Sequence, residues 1–319
     1  MDAVTWRRGR LSLVLLAVAA IAVGACTSSG GTTPSEAPAS EAPMSEAPMS
    51  EAPASEAPAS EAPPIEGGLL DQVLTEGKII MSTDPQYPPQ SELTAEGNYE
   101  GFDIDVGTEI ANRLGVEIAF ETPSWDVITA GSWGGRWDFS VGSMTITTPR
   151  QEVIDFSEPY YYTPAQMSVR ADSGITSLDG LAGKVVCVGA ATTYLDWLNG
   201  SLDFGTESPQ TTPPEGVTAT TLDSDRLCAE AWRAGRTDFD GWLSSSTTVQ
   251  DAIDDGLPVV AVGDPVFFEP LAVAFDKSGP DASDMVTRVN AILAEMREDG
   301  TLKAMSEKWF GLDLTEKQG

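Results

Sequence analysis

The side chains of this chain that could bind a small molecule include one arginine close to a glycine and two hydroxyl residues. The guanidinium group of Arg150 could hold a carboxylate through two parallel charge-assisted hydrogen bonds. A surface salt bridge is the alternative role in so acidic a chain. Gly142 would let the backbone approach a ligand closely, and Ser143 and Thr145 would offer hydroxyl donors, unless these residues only form a strand end and its turn.

A second candidate site lies at the start of a predicted helix, at Thr192 and Thr193. Free N–H groups at a helix N-terminus, together with a hydroxyl, suit an anionic group. The same hydroxyl could cap the helix, and the two roles are compatible. The chain contains no histidine, which excludes Ser-His-Asp and Cys-His catalysis and removes the commonest metal ligand. We therefore predict a binding protein with no catalytic residues, metal or cofactor.

The net charge of the chain argues against two classes of binding partner. The 319 residues have room for two domains and carry 18 Lys and Arg against 49 Asp and Glu, a formal charge of −31. This balance argues against binding to nucleic acid or to anionic lipid, because both need a basic surface. Residues 67–319 hold 15 of the basic and 41 of the acidic residues, and solubility is the simplest reason for that excess.

The N-terminal region predicts export and anchoring. Residues 1–25 combine three arginines with a short apolar run, as in a signal peptide. The run ends at Val23–Cys26, which resembles a bacterial lipobox with Cys26 as the lipid-attachment residue; an ordinary secretory signal is the alternative. Residues 26–66 contain six SEAP repeats. Proline in every repeat blocks helices and sheets, so we predict a disordered tether, whose glycosylation stays open.

Two further cysteines, Cys187 and Cys228, lie in a predicted strand and a predicted helix. In an extracytoplasmic protein an even pair indicates a disulfide, with two buried free thiols as the alternative. A metal site would need a third soft ligand.

Short apolar runs alternate with amphipathic segments from Leu69 to Phe310. This pattern predicts an α/β fold with mainly parallel strands, in which ligands bind beyond the carboxyl ends of the strands. Ser224 is a candidate cap for a helix over 224–234, and Gly115 for the end of a helix over 103–114. The predicted strands are 78–82, 116–121, 139–144, 167–170, 184–189, 218–221, 239–243, 259–262 and 271–275. The other predicted helices are 125–132, 193–199, 245–254, 282–299 and 301–308.

Several segments resemble the family 3 solute-binding proteins of ABC importers, the polar amino acid group. They occur in order along nearly all of 69–311, with spacing typical of the family. The matching segments are Gly101–Asp105 (GFDID), Trp137–Arg150 (WDFSVGSMTITTPR), Ile154–Tyr161 (IDFSEPYY), Leu178–Lys184 (LDGLAGK), Asp299–Thr301 (DGT) and Glu307–Gly311 (EKWFG).

The resemblance implies the type II periplasmic-binding-protein fold, in which two α/β lobes joined by two crossover strands close over a ligand. Mapped onto this chain, lobe one covers 69–163 and 273–319, and lobe two covers 171–265. The hinge crossovers fall at 164–170 and 266–272. Closure would be a hinge motion that a membrane transporter can recognise.

The resemblance also assigns roles to the candidate residues. Arg150 matches the arginine that holds the ligand α-carboxylate, and Thr192 and Thr193 match a GTT motif in lobe two. Tyr87 and Trp125 match aromatic walls around the ligand side chain, although buried packing is their alternative role. Gly142, Ser143 and Thr145 match positions that contact the same ligand, and Asp84, beside the aromatic wall, could meet a cationic side chain.

One departure weakens the assignment to amino acids. Family members with an α-amino ligand carry an aspartate soon after a GRxD motif, and counting from Gly235–Asp238 places Leu243 there. Leucine cannot pair with a buried ammonium. Asp240 or another acid could substitute, Ser244 could accept a hydrogen bond after a register shift, or the ligand could lack an α-ammonium. Trp242 could extend the apolar wall.

We predict a monomeric, lipid-anchored solute-binding protein on the outer face of the cytoplasmic membrane. It would deliver a small carboxylate-bearing solute, such as an amino acid or derivative, to an ABC permease. The alternatives are a dehydratase-like enzyme on the same scaffold, which needs a cleft carboxylate with a raised pKa as general base, and a sensor for a membrane signalling partner. A purely structural surface protein would leave Arg150 unexplained.

Overall fold

The computed structural model describes residues 64–205 and 211–317. The predicted signal peptide, Cys26 and all of the predicted tether before residue 64 lie outside this part of the chain. Within the two described ranges, no helix is both long and apolar enough to cross a bilayer.

The described chain alternates helices with strands, as the sequence pattern predicts. The helices are α1 (Leu69–Glu76), α2 (Phe102–Leu114), α3 (Trp125–Thr129), α4 (Thr148–Gln151), α5 (Thr193–Leu198), α6 (Arg226–Arg233), α7 (Ser246–Asp254), α8 (Ser283–Glu298) and α9 (Thr301–Phe310), with a 3₁₀ turn at Leu178–Leu181. The strands are β1 (Lys78–Ser82), β2 (Gln86–Tyr87), β3 (Ser91–Leu93), β4 (Tyr99–Glu100), β5 (Glu117–Glu121), β6 (Phe139–Thr145), β7 (Ile154–Arg170), β8 (Val185–Gly189), β9 (Thr218–Leu222), β10 (Gly241–Ser245), β11 (Val259–Ala261) and β12 (Phe267–Asp276).

Nine strands form one mixed sheet in the described part of the chain. Its order is β5-β1-β6-β12-β7-β10-β8-β9, with β11 also paired to β7. Pairing is parallel towards the two ends, between β1 and both β5 and β6, and between β8 and both β9 and β10. Every pair that involves β7 or β12 is antiparallel. The prediction of mainly parallel pairing is therefore wrong for the centre of the sheet, where two long strands run in opposite directions.

These two central strands connect the two ends of the sheet. Strands β7 and β12 pair from Ala165 opposite Phe267 to Ile154 opposite Asp276. Strand β12 also pairs with β6 at one side, and β7 pairs with β10 and β11 at the other. The predicted crossovers at 164–170 and 266–272 fall on these strands and the residue before β12, and the division into two lobes stays a prediction.

The buried apolar side chains of the described residues form separate clusters on either side of this connection. One pair of clusters draws its residues from 69–161 and 271–314 and includes Phe102, Phe139 and Trp133. The other pair draws its residues from 165–267 and includes Trp197 and Trp242. Each side thus has a hydrophobic core of its own, which is the condition for two independently packed bodies.

Helix α2 begins where only glycine fits. Gly101 has a φ of 134°, and a Cβ at this position would lie 2.2 Å from the carbonyl oxygen of Gln90. The apolar face of α2, with Val106 and Ile110 fully buried, packs in the first core. Gly115 adopts a φ of 75° and ends the helix by donating its N–H to the carbonyl oxygen of Ala111. The predicted cap at Gly115 is therefore confirmed.

A disulfide joins Cys187 of β8 to Cys228 of α6, with their Cα atoms 5.8 Å apart. Both cysteines are fully buried in a core cluster with Trp232 and Trp242. The bond closes a segment with a sequence separation of 41 residues, and restricting the unfolded chain to such a loop stabilises the folded state by about 3–4 kcal/mol.

Candidate functional site

A cavity lies beyond the carboxyl ends of the parallel strands. Asp84 follows β1, Thr145 ends β6, Gly189 ends β8 and Asp223 follows β9. The eight principal sequence-predicted residues all line it, and so does Asp84; they are Tyr87, Trp125, Gly142, Ser143, Thr145, Arg150, Thr192 and Thr193. The lining residues that the sequence did not single out are Gly189, Ala190, Tyr194, Asp223, Ser224, Asp225 and Glu269.

Arg150 lies in the short helix α4, which Thr147 caps and whose first turn contains Pro149. Its side chain is buried, with 7% of the residue exposed. The guanidinium donates to the carbonyl oxygens of Thr145 and Ala191, both at 3.0 Å. It also lies 5.6 Å from the ring centre of Trp125. Two backbone carbonyls and an aromatic ring thus hold the cation in place.

The Arg150 guanidinium has no ion-pair partner among the residues that the structure describes. No carboxylate of residues 64–205 or 211–317 lies within the 4.0 Å that defines an ion pair with its guanidinium. Burial lowers the pKa of Arg150, and the more distant Asp196 and Glu269 counteract that effect. The surface salt bridge considered above is therefore not the arrangement found, and a buried cation faces the cavity without an anion.

Ser143 contacts the cavity with a strained backbone, since its φ is 55°. Its N–H donates to the Tyr160 hydroxyl at 3.0 Å, and its Oγ donates to Asp103 Oδ2 at 2.7 Å. The Tyr160 hydroxyl donates to the other Asp103 oxygen at 2.6 Å. Ser143 also hydrogen bonds to Tyr161. The donors expected from Ser143 are therefore engaged by a buried network under the cavity, and its side chain is oriented by Asp103.

Asp103 should make stability depend on pH. Burial raises its pKa to about 7 from an ordinary 3.8, in spite of the hydrogen bonds from Tyr160 and Ser143, which lower it. The folded state therefore holds a proton that the unfolded state releases, so the stabilisation is complete below pH 4 and is lost as pH rises through 7. Relative to Asp103→Asn, the wild type should lose up to about 3–4 kcal/mol between pH 4 and 8.

Urea unfolding of both proteins at several pH values measures this effect. The relevant quantity is the difference between their unfolding free energies, because the other carboxyl groups contribute equally to both proteins. A difference that stays constant from pH 4 to 8 would show that the pKa of Asp103 is not raised in the folded state.

Glu269 is a buried acid of the cavity lining that the sequence motifs did not predict. It lies on β12, only 1% exposed, and accepts hydrogen bonds from three cavity hydroxyls. Thr145 and Thr193 donate to Oε1 at 2.7 and 2.5 Å, and Tyr194 donates to Oε2 at 2.7 Å. Burial raises the pKa of Glu269, and these three hydrogen bonds lower it. A single acid between Phe268 and Pro270, inside an apolar run, was the signal available in the sequence.

The family model described as bacterial extracellular solute-binding proteins, family 3, matches residues 79–312. The chain belongs to this family. The match covers both sides of the central strands and every residue that lines the cavity.

Individual relatives extend this comparison. The L-cystine-binding protein TcyJ of Escherichia coli K12 is 32% identical over 252 residues, which cover 78% of this chain and 88% of the relative. A mutant of ArgBP from T. maritima superposes with a TM-score of 0.65 at 25% identity, over 76% of this chain and 99% of that structure. The ancestral amino acid-binding protein AncCDT-1, described as a precursor of cyclohexadienyl dehydratase, superposes with a TM-score of 0.64 at 28% identity. The superposition covers 76% of this chain and 99% of that structure.

The remaining wall of the cavity in this family 3 protein is aromatic and acidic. The hydroxyl groups of Tyr87 and Tyr194 lie 3.5 Å apart, and the buried indole N–H of Trp125 makes no hydrogen bond within the described residues. Asp84 and Asp225 line the same cavity, and burial is the main cause that raises the pKa of each.

The candidates named as substitutes around Leu243, which are Asp240, Trp242 and Ser244, do not line the cavity. Asp240 precedes β10, where it accepts the Val185 N–H and lies near Lys184. Trp242 and Ser244 are fully buried, with Trp242 in the disulfide cluster. They lie inside β10, which runs to Ser245, so the strand ends two residues beyond Leu243. Leu243 itself is buried in the other core cluster of this region.

The sequence suggested Ser224 as the cap of α6, but the structure does not place it there. The helix begins at Arg226, and the N-cap residue is Asp225, whose side chain makes no capping hydrogen bond. The Ser224 hydroxyl instead donates at 2.8 Å to the carbonyl oxygen of Gln86, a residue 138 positions earlier in the chain. Thr192 does cap α5, since its Oγ1 accepts the Leu195 N–H.

Like the hydrogen bond between Ser224 and Gln86, the side chain of Gln90 joins two segments that are distant in the chain. The Gln90 side chain donates to Ser245 Oγ at 3.0 Å and to Thr247 Oγ1 at 2.6 Å, and accepts from Thr248 Oγ1 at 3.1 Å. Gln90 is fully buried, so its amide is satisfied entirely by hydroxyls at the start of α7. Gln90 and these three hydroxyl residues do not line the cavity.

Proposed function

We propose that this family 3 protein captures an amino acid or a related carboxylate-bearing solute outside the cytoplasm and delivers it to an ABC permease. The observation that carries this proposal is the buried Arg150, whose guanidinium lines the cavity without an ion-pair partner in the described chain. A ligand carboxylate would supply the missing anion through two parallel hydrogen bonds. Tyr87 and Trp125 would contact the ligand side chain, beside Gly142 and Ser143.

The names of similar proteins support an amino acid ligand. TcyJ is an L-cystine-binding protein, and another relative from Bacillus subtilis is a probable amino-acid-binding protein. A structural neighbour at 28% identity is an ancestral arginine-binding protein bound to arginine. We assign to this chain the feature that these ligands share, an α-carboxylate, and leave the side chain to experiment.

We propose two lobes, at 69–163 with 273–319 and at 171–265, that rotate about β7 and β12. The separate hydrophobic clusters on either side of these strands support this division. Several hydrogen bonds would then span the cleft, among them Arg150 to Ala191, Ser224 to Gln86 and Gln90 to Ser245. Opening the cleft would break them, so binding and closure would be coupled.

We propose that the mature protein acts as a monomer held at the outer face of the membrane. The lipobox-like sequence at Val23–Cys26 supports lipid attachment at Cys26, with 1–25 removed as the signal peptide. The proline-rich residues 26–66 would act as an extended tether. Mass spectrometry of the membrane fraction tests this proposal, since a free Cys26 thiol would contradict it.

A thermal-shift screen of the purified protein tests the ligand class. The compounds are L-amino acids, α-keto acids, amines and small sugars. A ligand present at 100 times its dissociation constant should add about 2.7 kcal/mol of stability. We expect carboxylates to raise the melting temperature. The proposed function is wrong if only amines or sugars do so.

A second candidate function is a dehydratase-like reaction on a small organic acid. It is favoured by two cavity carboxylates with raised pKa values, Asp225 and Glu269, since a general base needs such a group. The NMR spectrum of the bound compound, followed over time with the protein, decides between the two functions. If the protein only binds the compound, no new signals appear over time, whereas catalysis produces the signals of a product.

A further inference from the structure

We propose that Asp225 and Glu269 form the cation-binding side of the cavity and bind the ligand's ammonium group. This inference rests on the proposed function, because it takes Arg150 as the partner of the ligand carboxylate. It also answers the question raised by Leu243, which is buried in a core cluster and cannot approach a ligand in the cavity. Two other elements supply carboxylates in place of the aspartate expected at residue 243. Asp225 lies at the start of α6, and Glu269 lies on strand β12.

Glu269 determines the hydrogen-bonding polarity of the hydroxyls around it. A hydroxyl group has one proton, and the protons of Thr145, Thr193 and Tyr194 are all directed at the Glu269 carboxylate. What these hydroxyls can offer a ligand is therefore their lone pairs. This part of the cavity accepts hydrogen bonds, which suits an ammonium group and not a second carboxylate.

Asp225 is held in place by its neighbours. It is 5% exposed, and its Oδ1 accepts the Gly189 N–H at 2.5 Å. A Cβ at residue 189 would lie 2.7 Å from that oxygen, so glycine is what permits this close approach. Asp225 and Glu269 are close enough for each to raise the pKa of Tyr87 and Tyr194 by charge repulsion. Both carboxylates therefore act on the same region of the cavity.

The charges of the lining residues favour a ligand that carries a cation. The lining contains four acids, Asp84, Asp223, Asp225 and Glu269, and one base, Arg150. A ligand with a carboxylate and no ammonium would add negative charge to this set. Burial already disfavours the ionised forms of Asp225 and Glu269, and a bound ammonium would restore them. We therefore infer that the ligand retains its amino group.

Each L-amino acid that binds in the thermal-shift screen should be compared, by calorimetry, with the 2-hydroxy acid bearing the same side chain. We expect the wild type to prefer the amino acid by about 100-fold, since truncating one member of a desolvated charge pair has effects of this size. Asp225→Asn and Glu269→Gln should each reduce that preference at least tenfold. The matched control is Asp240→Asn, an aspartate of the same region outside the cavity, which should leave the preference unchanged.

The two proposals fail in different ways. If the 2-hydroxy acid binds the wild type as tightly as the amino acid, or if both cavity variants keep the full preference, the ammonium site is wrong and carboxylate capture stands. If no carboxylate binds the folded wild type, the proposed function fails and the ammonium site with it. Because Glu269→Gln alters three hydrogen bonds, its fold is checked by urea unfolding, and Asp225→Asn gives an independent result should that variant not fold.

Discussion

Replacement of Arg150 by methionine is expected to weaken ligand binding by at least about 30-fold. The guanidinium is 7% exposed and faces the cavity without an ion-pair partner among the described residues. A ligand carboxylate that lost this partner would be desolvated against a wall that also contains Asp225 and Glu269. Removing one member of such a buried pair costs about 2–5 kcal/mol, most of which appears in the dissociation rate. Methionine keeps much of the side-chain volume, so the change tests mainly the charge.

Calorimetry with the ligand found in the screen measures this effect. The matched control is Arg236→Met, because Arg236 is a half-exposed arginine paired with Asp238 and lies outside the cavity. Its binding should match that of the wild type. Circular dichroism should show that both variants are folded. An Arg150→Met affinity within threefold of the wild type would place the ligand carboxylate elsewhere.

Replacement of Leu243 by aspartate is expected to destabilise the protein by at least about 5 kcal/mol without any gain in amino acid binding. Leu243 is fully buried in a cluster with Val188, Tyr194 and Phe267. Removing its methyl groups costs about 2–5 kcal/mol, and a carboxylate in their place would be buried without a partner. The protonated form of the aspartate reduces this cost at low pH, so the loss should grow as pH rises.

Two further variants separate these contributions by urea unfolding. Leu243→Ala creates the cavity without the charge, and Leu243→Met keeps the volume and should cost less than about 1.5 kcal/mol. We expect the order of stability to be wild type, Met, Ala and Asp. If Leu243→Asp folded as stably as Leu243→Ala and bound an α-amino acid more tightly than the wild type, residue 243 would lie at the site after all.

The position of Leu243 shows what a motif count can and cannot predict. Counting from Gly235–Asp238 assumed a strand that begins at Phe239 and ends at Leu243. In the structure β10 begins at Gly241 and ends at Ser245, which caps α7. A shift of two residues keeps the same face of a strand, so the hydrophobic pattern gave no warning. Strand ends depend on tertiary contacts such as that of Gln90 with Ser245.

Residues within one motif were predictable, and residues brought in from elsewhere were not. Arg150 and Thr145 lie in one segment, so local chemistry and family resemblance placed them together at the cavity. Glu269 is 124 residues from Thr145 in the chain, and only the pairing of β12 with β6 joins them. Likewise, residues 154–166 of β7 were missed because Pro159 and Pro164 lack the backbone N–H donors that a strand needs.

The proposed two-lobe closure gives the Gln90 hydrogen bonds an expected effect on ligand affinity. Its amide and three hydroxyls lie outside the cavity, so in the proposed two-lobe arrangement their hydrogen bonds would stabilise the closed form whether or not a ligand is present. The measured dissociation constant of a closing protein is the intrinsic constant divided by the population of the binding-competent form. If the two lobes close as proposed, affinity in this protein depends in part on residues that do not contact the solute. Two family members with identical cavities could then differ widely in the ligand concentration that half-saturates them.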